Sequence, residues 1–419
     1  MPPPRRFRAD AAGWLCRDAP WARDIKEKVT KRIMPPFYAA GPIGYYQDDG
    51  RLTEEEIKVI SKWVDDGAPR GRASTQPRES RWSDDGGTEK PDLQLKIQTP
   101  YKVKKDGPDD YEYFAFDYVF PQDTWIRGVD VLPSNRSAVH HVVVYNLPDQ
   151  VIAGADGRIE GANPLMGATV VLFWNSGGLP LRLPPKSALV IPKGSRLGLE
   201  VHYAPTTLDG VVDQPSVGIY YANGVVDKLV HSQYGITRNI EIPAGQKSYQ
   251  LVVYKKFTTD ALIVSFGAHM HLRGKSFTIR MIYPDGKKET VFELPRFYFY
   301  WQRSYILAKP LAVPSGTVAE YTAEWDNSAG NPYNPDPGRA VRFGLGTNDE
   351  MMGGRITYLI PDEELRSNIK DGVKVATPAA NPRRSPMARL AEHQDCLCNR
   401  GTLSQGTGPN VRLDTLDIR

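Results

Sequence analysis

Cysteine is scarce in this sequence. Only three of its 419 residues are cysteines, and Cys16, Cys396 and Cys398 all lie near the ends of the chain. The long central part of the chain therefore has no disulfide framework to hold it. The side chains of Cys396, Cys398 and His393 are of the types that bind metal ions, so a metal site here is one interpretation. The Pro-, Arg- and Gly-rich composition around them instead predicts a disordered tail over residues 367–419.

Long apolar runs and an excess of one charge are also missing. No stretch approaches the roughly 20 apolar residues of a membrane-spanning helix, so no transmembrane segment is predicted. The 53 Lys and Arg residues against 49 Asp and Glu residues leave a formal net charge of +4. A chain so nearly balanced lacks the electrostatic footprint of a nucleic-acid-binding protein. The first ten residues are charged and show no apolar core of a signal peptide.

The sequence does contain a long succession of short runs rich in Val, Ile, Tyr and Thr. These runs are separated by turn signals such as Pro284-Asp285-Gly286. Such a pattern is typical of antiparallel β-structure. Two successive sets of runs, at residues 92–227 and 228–366, predict a mainly β protein built of two packed β-sandwiches.

Two helical patterns precede the β-rich region. Residues 18–33 are predicted to form an amphipathic helix with Asp18 as its N-cap. Thr53 and Glu56 have the spacing of a capping box, which predicts the start of a second helix. Residues 71–91 are polar and lack periodicity, so they are predicted to form a linker.

Histidine is rare, but most of it is concentrated in predicted strands. Five of the seven histidines lie in three short apolar segments, as the adjacent pair His140 and His141, then His202, then His269 and His271. Residues i and i+2 of a strand point to the same face, so the last two should project side by side. Imidazole is a ligand of copper, zinc, iron and nickel. The five histidines are therefore candidate metal ligands.

Together with Asp349-Glu350-Met351, these segments stand in the order of a known enzyme family. The His-His pair, the Leu-x-Val-His-Tyr strand, the His-x-His pair and the Asp-Glu-Met sequence resemble the motifs of the copper type II, ascorbate-dependent monooxygenases. That family includes peptidylglycine α-hydroxylating monooxygenase and dopamine β-monooxygenase. The resemblance is to bacterial members of this family and covers residues 92–365. It implies two tandem, jelly-roll-like antiparallel sandwiches with one copper ion on each.

The resemblance also implies the ligands of these two copper ions. The electron-storing copper would be bound by His140, His141 and His202. The copper at which dioxygen reacts would be bound by His269, His271 and Met351, with Met352 as the alternative thioether. A soft thioether beside imidazoles selects copper over zinc or magnesium.

The implied activity is hydroxylation of a C–H bond in a small-molecule or peptide-like substrate. The co-substrates would be dioxygen and ascorbate or another one-electron donor, and the implied location is periplasmic or extracellular. Gly267 and Arg355 replace two residues that hold the substrate carboxylate in peptide-amidating members, so the substrate is expected to differ. Arg355 is predicted to form a surface salt bridge, with anion binding as the alternative.

The N-terminal residues 1–70 resemble part of a class I cytochrome c domain. Met34, in a Met-Pro-Pro-Phe sequence, matches the methionine that is the axial haem ligand in that family. The haem-attachment motif Cys-x-x-Cys-His is absent, because Cys16 is the sole cysteine before Trp21 and no histidine accompanies it. Covalently bound haem is therefore not expected in this chain.

Two other functions are compatible with the sequence. A copper-binding protein that transfers electrons or handles copper could use the same ligands without oxygenating a substrate. A β-sandwich binding module with incidental histidines would need no metal. The ordered set of six ligand candidates favours the monooxygenase over both.

Overall fold

The computed structural model of this protein describes residues 21–47, 49–69, 89–105, 110–136, 138–148, 151–160, 168–175, 180–203, 209–344 and 346–375. The chain is mainly β, as predicted, with a small helical segment at its N-terminal end. Asp18, all three cysteines, His393 and most of the predicted linker lie outside the described residues.

The helical segment consists of α1 (Ala22–Thr30) and α2 (Glu54–Asp65). The predicted capping box is confirmed: the Thr53 hydroxyl accepts from the Glu56 N–H, and the Glu56 carboxylate accepts from the Thr53 N–H. Helix α1 begins after Trp21, later than predicted, and has no side-chain cap. Neither helix has the length and apolar character needed to cross a membrane.

The first set of strands forms a pair of sheets around one core. Its strands are β1 (Leu93–Lys96), β2 (Tyr101–Lys102), β3 (Asp110–Val119), β4 (Thr124–Leu132), β5 (Val139–Leu147), β6 (Thr169–Asn175), β7 (Leu181–Arg182), β8 (Ser187–Ile191), β9 (Arg196–Tyr203), β10 (Val212–Asp213), β11 (Ser216–Tyr221), β12 (Gly224–Val226) and β13 (Lys228–Leu229). One sheet has the order β3-β9-β5-β6 and the other β1-β11-β4-β8-β13, with β7 also paired to β4. Side chains from both sheets meet in one hydrophobic core.

The second set repeats this arrangement around a separate core. Its strands are β14 (His231–Thr237), β15 (Glu241–Ile242), β16 (Tyr249–Lys256), β17 (Ala261–His269), β18 (Gly274–Ile282), β19 (Lys288–Leu294), β20 (Tyr305–Val313), β21 (Val318–Trp325), β22 (Val341–Arg342) and β23 (Met352–Leu359). The two main sheets have the orders β14-β23-β17-β20 and β16-β21-β18-β19. Their inner faces form the larger hydrophobic core.

Strand alternation determines which residues face away from these cores. On β9, Leu199 and Val201 enter the first core, so Glu200 and His202 face the opposite side of the sheet. On the other sheet, β17 sends Phe266 into the second core. Gly267 and His269 therefore belong to its outer face. These two outer faces, one from each set of strands, line the same cavity.

The N-terminal segment packs on the second set of strands. Tyr46 forms an isolated bridge with Leu307, and the Gln47 N–H donates to the carbonyl of Ile306 at 2.9 Å. The Tyr46 side chain is buried in the second core. The segment that precedes α2 therefore contributes to a sandwich core.

The predicted disordered tail begins later than expected. Residues 367–375 form β24 (Ser367–Lys370) and β25 (Val373–Val375), and β24 pairs with β12 of the first set. Ile369 is buried beside Trp125 and Val226. The prediction is wrong here because a short alternating run and an Asp-Gly turn at 371–372 continue the β pattern. Residues 376–419 lie outside the described part of the chain.

Shortening the Ile369 side chain tests this packing. Ile369→Ala removes buried methyl groups and is expected to lower the free energy of unfolding by about 2–5 kcal/mol. The matched control is Val375→Ala on the exposed strand β25, where a change of about 0.5 kcal/mol or less is expected. Urea unfolding measures both, and equal effects of the two substitutions would contradict the burial of β24.

Candidate metal centre and cavity

The three histidines of the first set converge on one point. His141 on β5 pairs directly with His202 on the neighbouring strand β9. Directly paired residues project to the same face, and Nδ1 of His202 lies 3.2 Å from Nδ1 of His141. A shift in register between Val139 and His141 accompanies this pair. Such irregularities re-aim side chains, and the His140 ring lies 4.8 Å from that of His202.

This three-histidine group could hold a metal ion. One ligand nitrogen from each of the three rings lies within 4.8 Å of the others. Two nitrogens bound at about 2.0 Å in a tetrahedral site are about 3.3 Å apart, which agrees with the 3.2 Å between His141 and His202.

The rings of this group are held by their neighbours. Tyr111 stacks on His202 with ring centroids 4.3 Å apart, and Tyr300 contacts the His140 ring edge-on at 4.8 Å. The Glu200 carboxylate lies 3.8 Å from Nε2 of His141. A carboxylate behind a histidine fixes the ring orientation and makes the other ring nitrogen a better ligand. This leaves Nδ1 of His141 directed at His202.

His269 and His271 form a second histidine pair at the end of β17. Their ring centroids are 5.2 Å apart. Nδ1 of His269 lies 2.6 Å from Oε1 of Gln302, and Nδ1 of His271 lies 3.2 Å from the carbonyl oxygen of Asp349. These oxygens accept hydrogen bonds only, so each Nδ1 carries the proton and each Nε2 keeps its lone pair.

The amide of Gln302 is itself oriented. Its nitrogen donates to the carbonyl oxygen of Phe299 at 2.9 Å, which leaves Oε1 facing His269. Burial lowers the pKa of His269 and lowers the pKa of His271 to about 3. Both imidazoles are therefore neutral at pH 7, which is the form that binds metals.

Met351 is placed on the same side of the sheet by the pairing of β17 with β23. Gly353 lies opposite His269 in this antiparallel ladder. Met351 directly precedes β23, two residues before Gly353, and lines the cavity with both histidines. Met352 belongs to the hydrophobic core of the second set. Met34 lies on the surface with 50% of its area exposed.

One cavity of about 310 Å³ lies between the outer faces of the two sets of strands, and it is lined by His141 of the first group and by His269 and His271 of the second. The first set contributes His141 and Glu200, together with Tyr111, Tyr113, Tyr145 and Phe173. The second contributes His269, His271, Met351 and Arg355. The walls are mostly apolar and aromatic, with a few polar groups, as is usual for a small-molecule site.

An aromatic segment, Phe297–Trp301, connects the two groups. The Phe299 ring centroid lies 6.0 Å from that of His202 and 6.1 Å from that of His271. Sequence reasoning missed this segment, which leads from β19 toward β20. Five consecutive aromatic residues in a chain that is only 10% aromatic were the available signal.

Arg355 does not form the predicted surface salt bridge. Its exposed fraction is 8%, and no carboxylate of the described residues lies within ion-pair distance. Nη2 donates to the Ser304 hydroxyl at 2.6 Å, and the guanidinium lies over the Phe173 ring at 5.7 Å. The prediction is wrong because strand alternation alone does not tell whether an outer face is covered by another sheet.

Comparisons with known proteins give no family. No protein-family model matches the chain, and no curated protein does. N-glycanase F (PNGase F) is 11% identical with a TM-score of 0.25, covering 64% of this chain and 94% of that one. PNGF-II is 10% identical, with a TM-score of 0.27 and 66% of each chain covered. VP2 of infectious bursal disease virus is 11% identical, with a TM-score of 0.19, over 65% of this chain and 73% of that one. At identities and TM-scores this low, these structures give no information about the function of this chain.

Glu350 holds the chain around the second histidine pair. Its buried carboxylate accepts from the backbone N–H of His271 at 2.9 Å, the backbone N–H of Arg273 at 2.7 Å and the indole N–H of Trp325 at 2.9 Å. The Glu of the Asp-Glu-Met sequence is thus a structural residue beside the candidate ligands.

Replacing this carboxylate tests its role. Glu350→Ala leaves three buried donors without an acceptor, so we expect the free energy of unfolding to fall by about 3 kcal/mol or more. Glu364→Ala removes a surface carboxylate and is expected to change it by about 0.5 kcal/mol or less. Urea unfolding measures both variants. An equally small effect of Glu350→Ala would show that another group satisfies these donors.

Proposed function

We propose that this protein is a copper-dependent monooxygenase that hydroxylates a substrate C–H bond. The co-substrates are dioxygen and an external one-electron donor such as ascorbate. The observation that carries the proposal is that His141, which is grouped with His140 and His202, lines the same cavity as His269, His271 and Met351. The sequence motifs resemble those of the copper type II, ascorbate-dependent monooxygenases, and on this ground we also propose that the protein is periplasmic or extracellular.

The donor atoms fit copper. Three imidazoles in one group bind both oxidation states of copper, and a thioether near two imidazoles favours the reduced ion. When bound, copper supplies the one-electron redox chemistry that dioxygen activation requires. A single C–H hydroxylation needs two electrons beyond those of the substrate, which agrees with two separate ligand groups.

The protein's own residues prepare both groups for ligation. Gln302 and the carbonyl of Asp349 hold His269 and His271 with Nε2 unprotonated. In the other group, the Glu200 carboxylate lies 3.8 Å from Nε2 of His141. Because these partners are fixed before any ion binds, little reorganisation is needed at binding.

The cavity provides the place for the substrate. Its volume of about 310 Å³ lies at the lower end of the range for small-molecule sites. His269 and Met351 line it from one side and His141 from the other. A substrate in the cavity would therefore lie between His141 and the second group, with the Phe299 ring 6.4 Å from that of His141 and 6.1 Å from that of His271.

Copper titration tests the two ligand groups. The chain is expected to bind two copper ions, and His141→Ala is expected to lose one of them while the other remains. His231→Ala is the matched control, because this histidine lies beside Glu363 and belongs to neither group. The stoichiometry is read by atomic absorption after dialysis. Binding of no copper by the native chain would end the proposal.

The thioether is tested by exchanging neighbouring methionines. Met351→Leu is expected to lower the affinity for the second copper about tenfold or more and to remove the copper–sulfur signal in X-ray absorption of the reduced protein. Met352→Leu is the control, since Leu replaces Met in a core at little cost. Sulfur scattering that disappears only in the Met352 variant would reverse the assignment.

Oxygen consumption separates the proposed enzyme from an electron-transfer or copper-handling protein. With copper and ascorbate, the monooxygenase is expected to consume dioxygen in proportion to product formed from an added substrate. A protein that binds both copper ions but never couples oxygen uptake to hydroxylation across a broad substrate panel belongs to the alternative class.

A further inference from the structure

We propose that a second cavity, on the first set of strands, binds a small organic phosphate monoester. This cavity of about 490 Å³ is lined by residues of β4, β7, β8 and β12 and of their connections. Its charged lining residues among those described are Arg127, Arg182 and Lys186, all of them cations. Strands β4, β7 and β8 belong to the sheet that does not carry His141 and His202. The inference therefore goes beyond the proposed function and does not rest on it.

Arg182 is held in place by a row of three residues across neighbouring strands. Gly128 on β4 lies opposite Tyr220 of β11 on one side and opposite Arg182 of β7 on the other. A Cβ on Gly128 would lie 2.6 Å from the Leu181 carbonyl oxygen and 3.1 Å from Nη1 of Arg182. The missing side chain lets the guanidinium reach the Tyr220 ring, with Cζ 3.8 Å from the ring centroid. This cation–π contact orients the guanidinium before any ligand binds.

Arg182 has no carboxylate within ion-pair distance in the part of the chain that the structure describes. Its Nη1 donates to a backbone carbonyl of β7 at 3.2 Å. Arg127, in contrast, is neutralised by Glu89, whose carboxylate accepts from both terminal nitrogens of the guanidinium. The ammonium of Lys186 lies 3.6 Å from the carboxylate of Asp227, and 69% of the lysine side chain is exposed. The cavity therefore retains positive charge that an anionic ligand can neutralise.

One buried carboxylate lies near Arg182 without pairing with it. Asp130, two residues from Gly128 on the same face of β4, accepts from the Val131 N–H at 2.8 Å. Burial raises the pKa of Asp130, and the positive charge of Arg182 offsets part of that rise. Stabilising Asp130 is the alternative role of Arg182, and an Asp130→Asn variant separates this role from ligand binding.

The loop between β7 and β8 provides an independent observation. Lys186 has a φ of 59°, a left-handed conformation that residues other than glycine seldom adopt. Its carbonyl accepts from the N–H groups of Asp227 and Lys228 at 2.9 and 3.3 Å, which holds the backbone in this conformation. Pro184 and Pro185 restrict the loop further. Strained backbone of this kind is concentrated at ligand-binding loops, and Lys186 lines the cavity.

The lining favours a phosphate that carries an organic group. A guanidinium offers a planar pair of donors and an ammonium a point charge, and both are common ligands of phosphate. A phosphate monoester has a charge of about −2 at pH 7, which matches Arg182 and Lys186 together. The volume of about 490 Å³ is that of a small-molecule site and exceeds what an inorganic anion fills. Pro184, Pro185 and Val225 give the organic group an apolar wall.

The test is calorimetry on the full, metal-free chain with phenyl phosphate, inorganic phosphate and benzyl alcohol. The native chain is expected to bind phenyl phosphate about tenfold or more tightly than either of the other two probes. Arg182→Met removes the charge but keeps an apolar stem over Tyr220, and it is expected to weaken this binding about tenfold or more. Arg182→Lys is expected to fall between, because it keeps the charge and loses the planar donors. Arg366→Met, at an exposed arginine outside the cavity, is the matched control and is expected to keep the native affinity.

Thermal unfolding separates ligand binding from a structural role of Arg182. Phenyl phosphate is expected to raise the thermal midpoint of the native chain and of Arg366→Met, and to leave that of Arg182→Met unchanged. Asp130→Asn is expected to keep the native affinity for phenyl phosphate. A loss of affinity in Asp130→Asn as large as that in Arg182→Met would show that Arg182 serves Asp130, and it would overturn the proposed site.

Three further outcomes would contradict the proposal. Inorganic phosphate that binds as tightly as phenyl phosphate would indicate an adventitious ion only. Benzyl alcohol that binds as tightly would show that the charge has no role. Native affinity in Arg182→Met would place the phosphate elsewhere. Copper stoichiometry is expected to be unchanged in every one of these variants, so the failure of this site and the failure of the proposed function are distinguishable.

Discussion

The antiparallel ladder between β17 and β23 is the constraint on which the candidate site depends. Its register sets Gly353 opposite His269 and Arg355 opposite Gly267. A shift of one residue in either strand would turn these side chains into the core and bring Phe266 or Ile356 out. The large apolar side chains on the inner face therefore fix the positions of the polar groups on the outer face. The alternation of side chains along β17 and β23 therefore determines both which residues pack in the core and which residues line the candidate site.

The aromatic segment Phe297–Trp301 and the residues that follow it connect this ladder to the first set of strands. Phe299 and Tyr300 contact the three-histidine group. Gln302 holds His269, and Ser304 holds Arg355. One short stretch of chain thus supports both histidine groups and the guanidinium. The segment lies outside the strands, so its position depends on the packing of these aromatic rings between two sheets and on a backbone hydrogen bond from the Phe297 N–H to the Lys275 carbonyl at 2.8 Å.

Local patterns were sufficient to predict part of this site. Alternation along a strand placed His269 and His271 on one face, and outside the site the capping box of α2 was readable from Thr53 and Glu56. The partnership of His141 with His202 is different, since it joins strands separated by some sixty residues of sequence. The resemblance to a known family suggested their convergence; periodicity alone contains no information about which strands pair.

Other features could not be read from the sequence because burial is a property of the whole fold. Arg355 looks like an ordinary surface residue of a polar-out strand until a second sheet covers that face. Gln302 and Ser304 follow an aromatic run that has neither strand nor helix periodicity, so no pattern assigned them a role. Ile369 was missed for a related reason: its short strand is buried against Trp125 and Val226, which are far from it in the sequence.

The two ends of the described chain are attached in a crossed manner. Tyr46, near the N-terminus, is buried in the second core, whereas Ile369, after the last strand of that set, is buried against the first. Along its length, the chain therefore contributes first to the second sandwich, then to the first sandwich, then again to the second, and finally again to the first. A fragment cut between residues 229 and 231 would leave each piece without part of its own interior. The interior of each sandwich is therefore completed by a terminal segment that lies beyond the other sandwich in the chain.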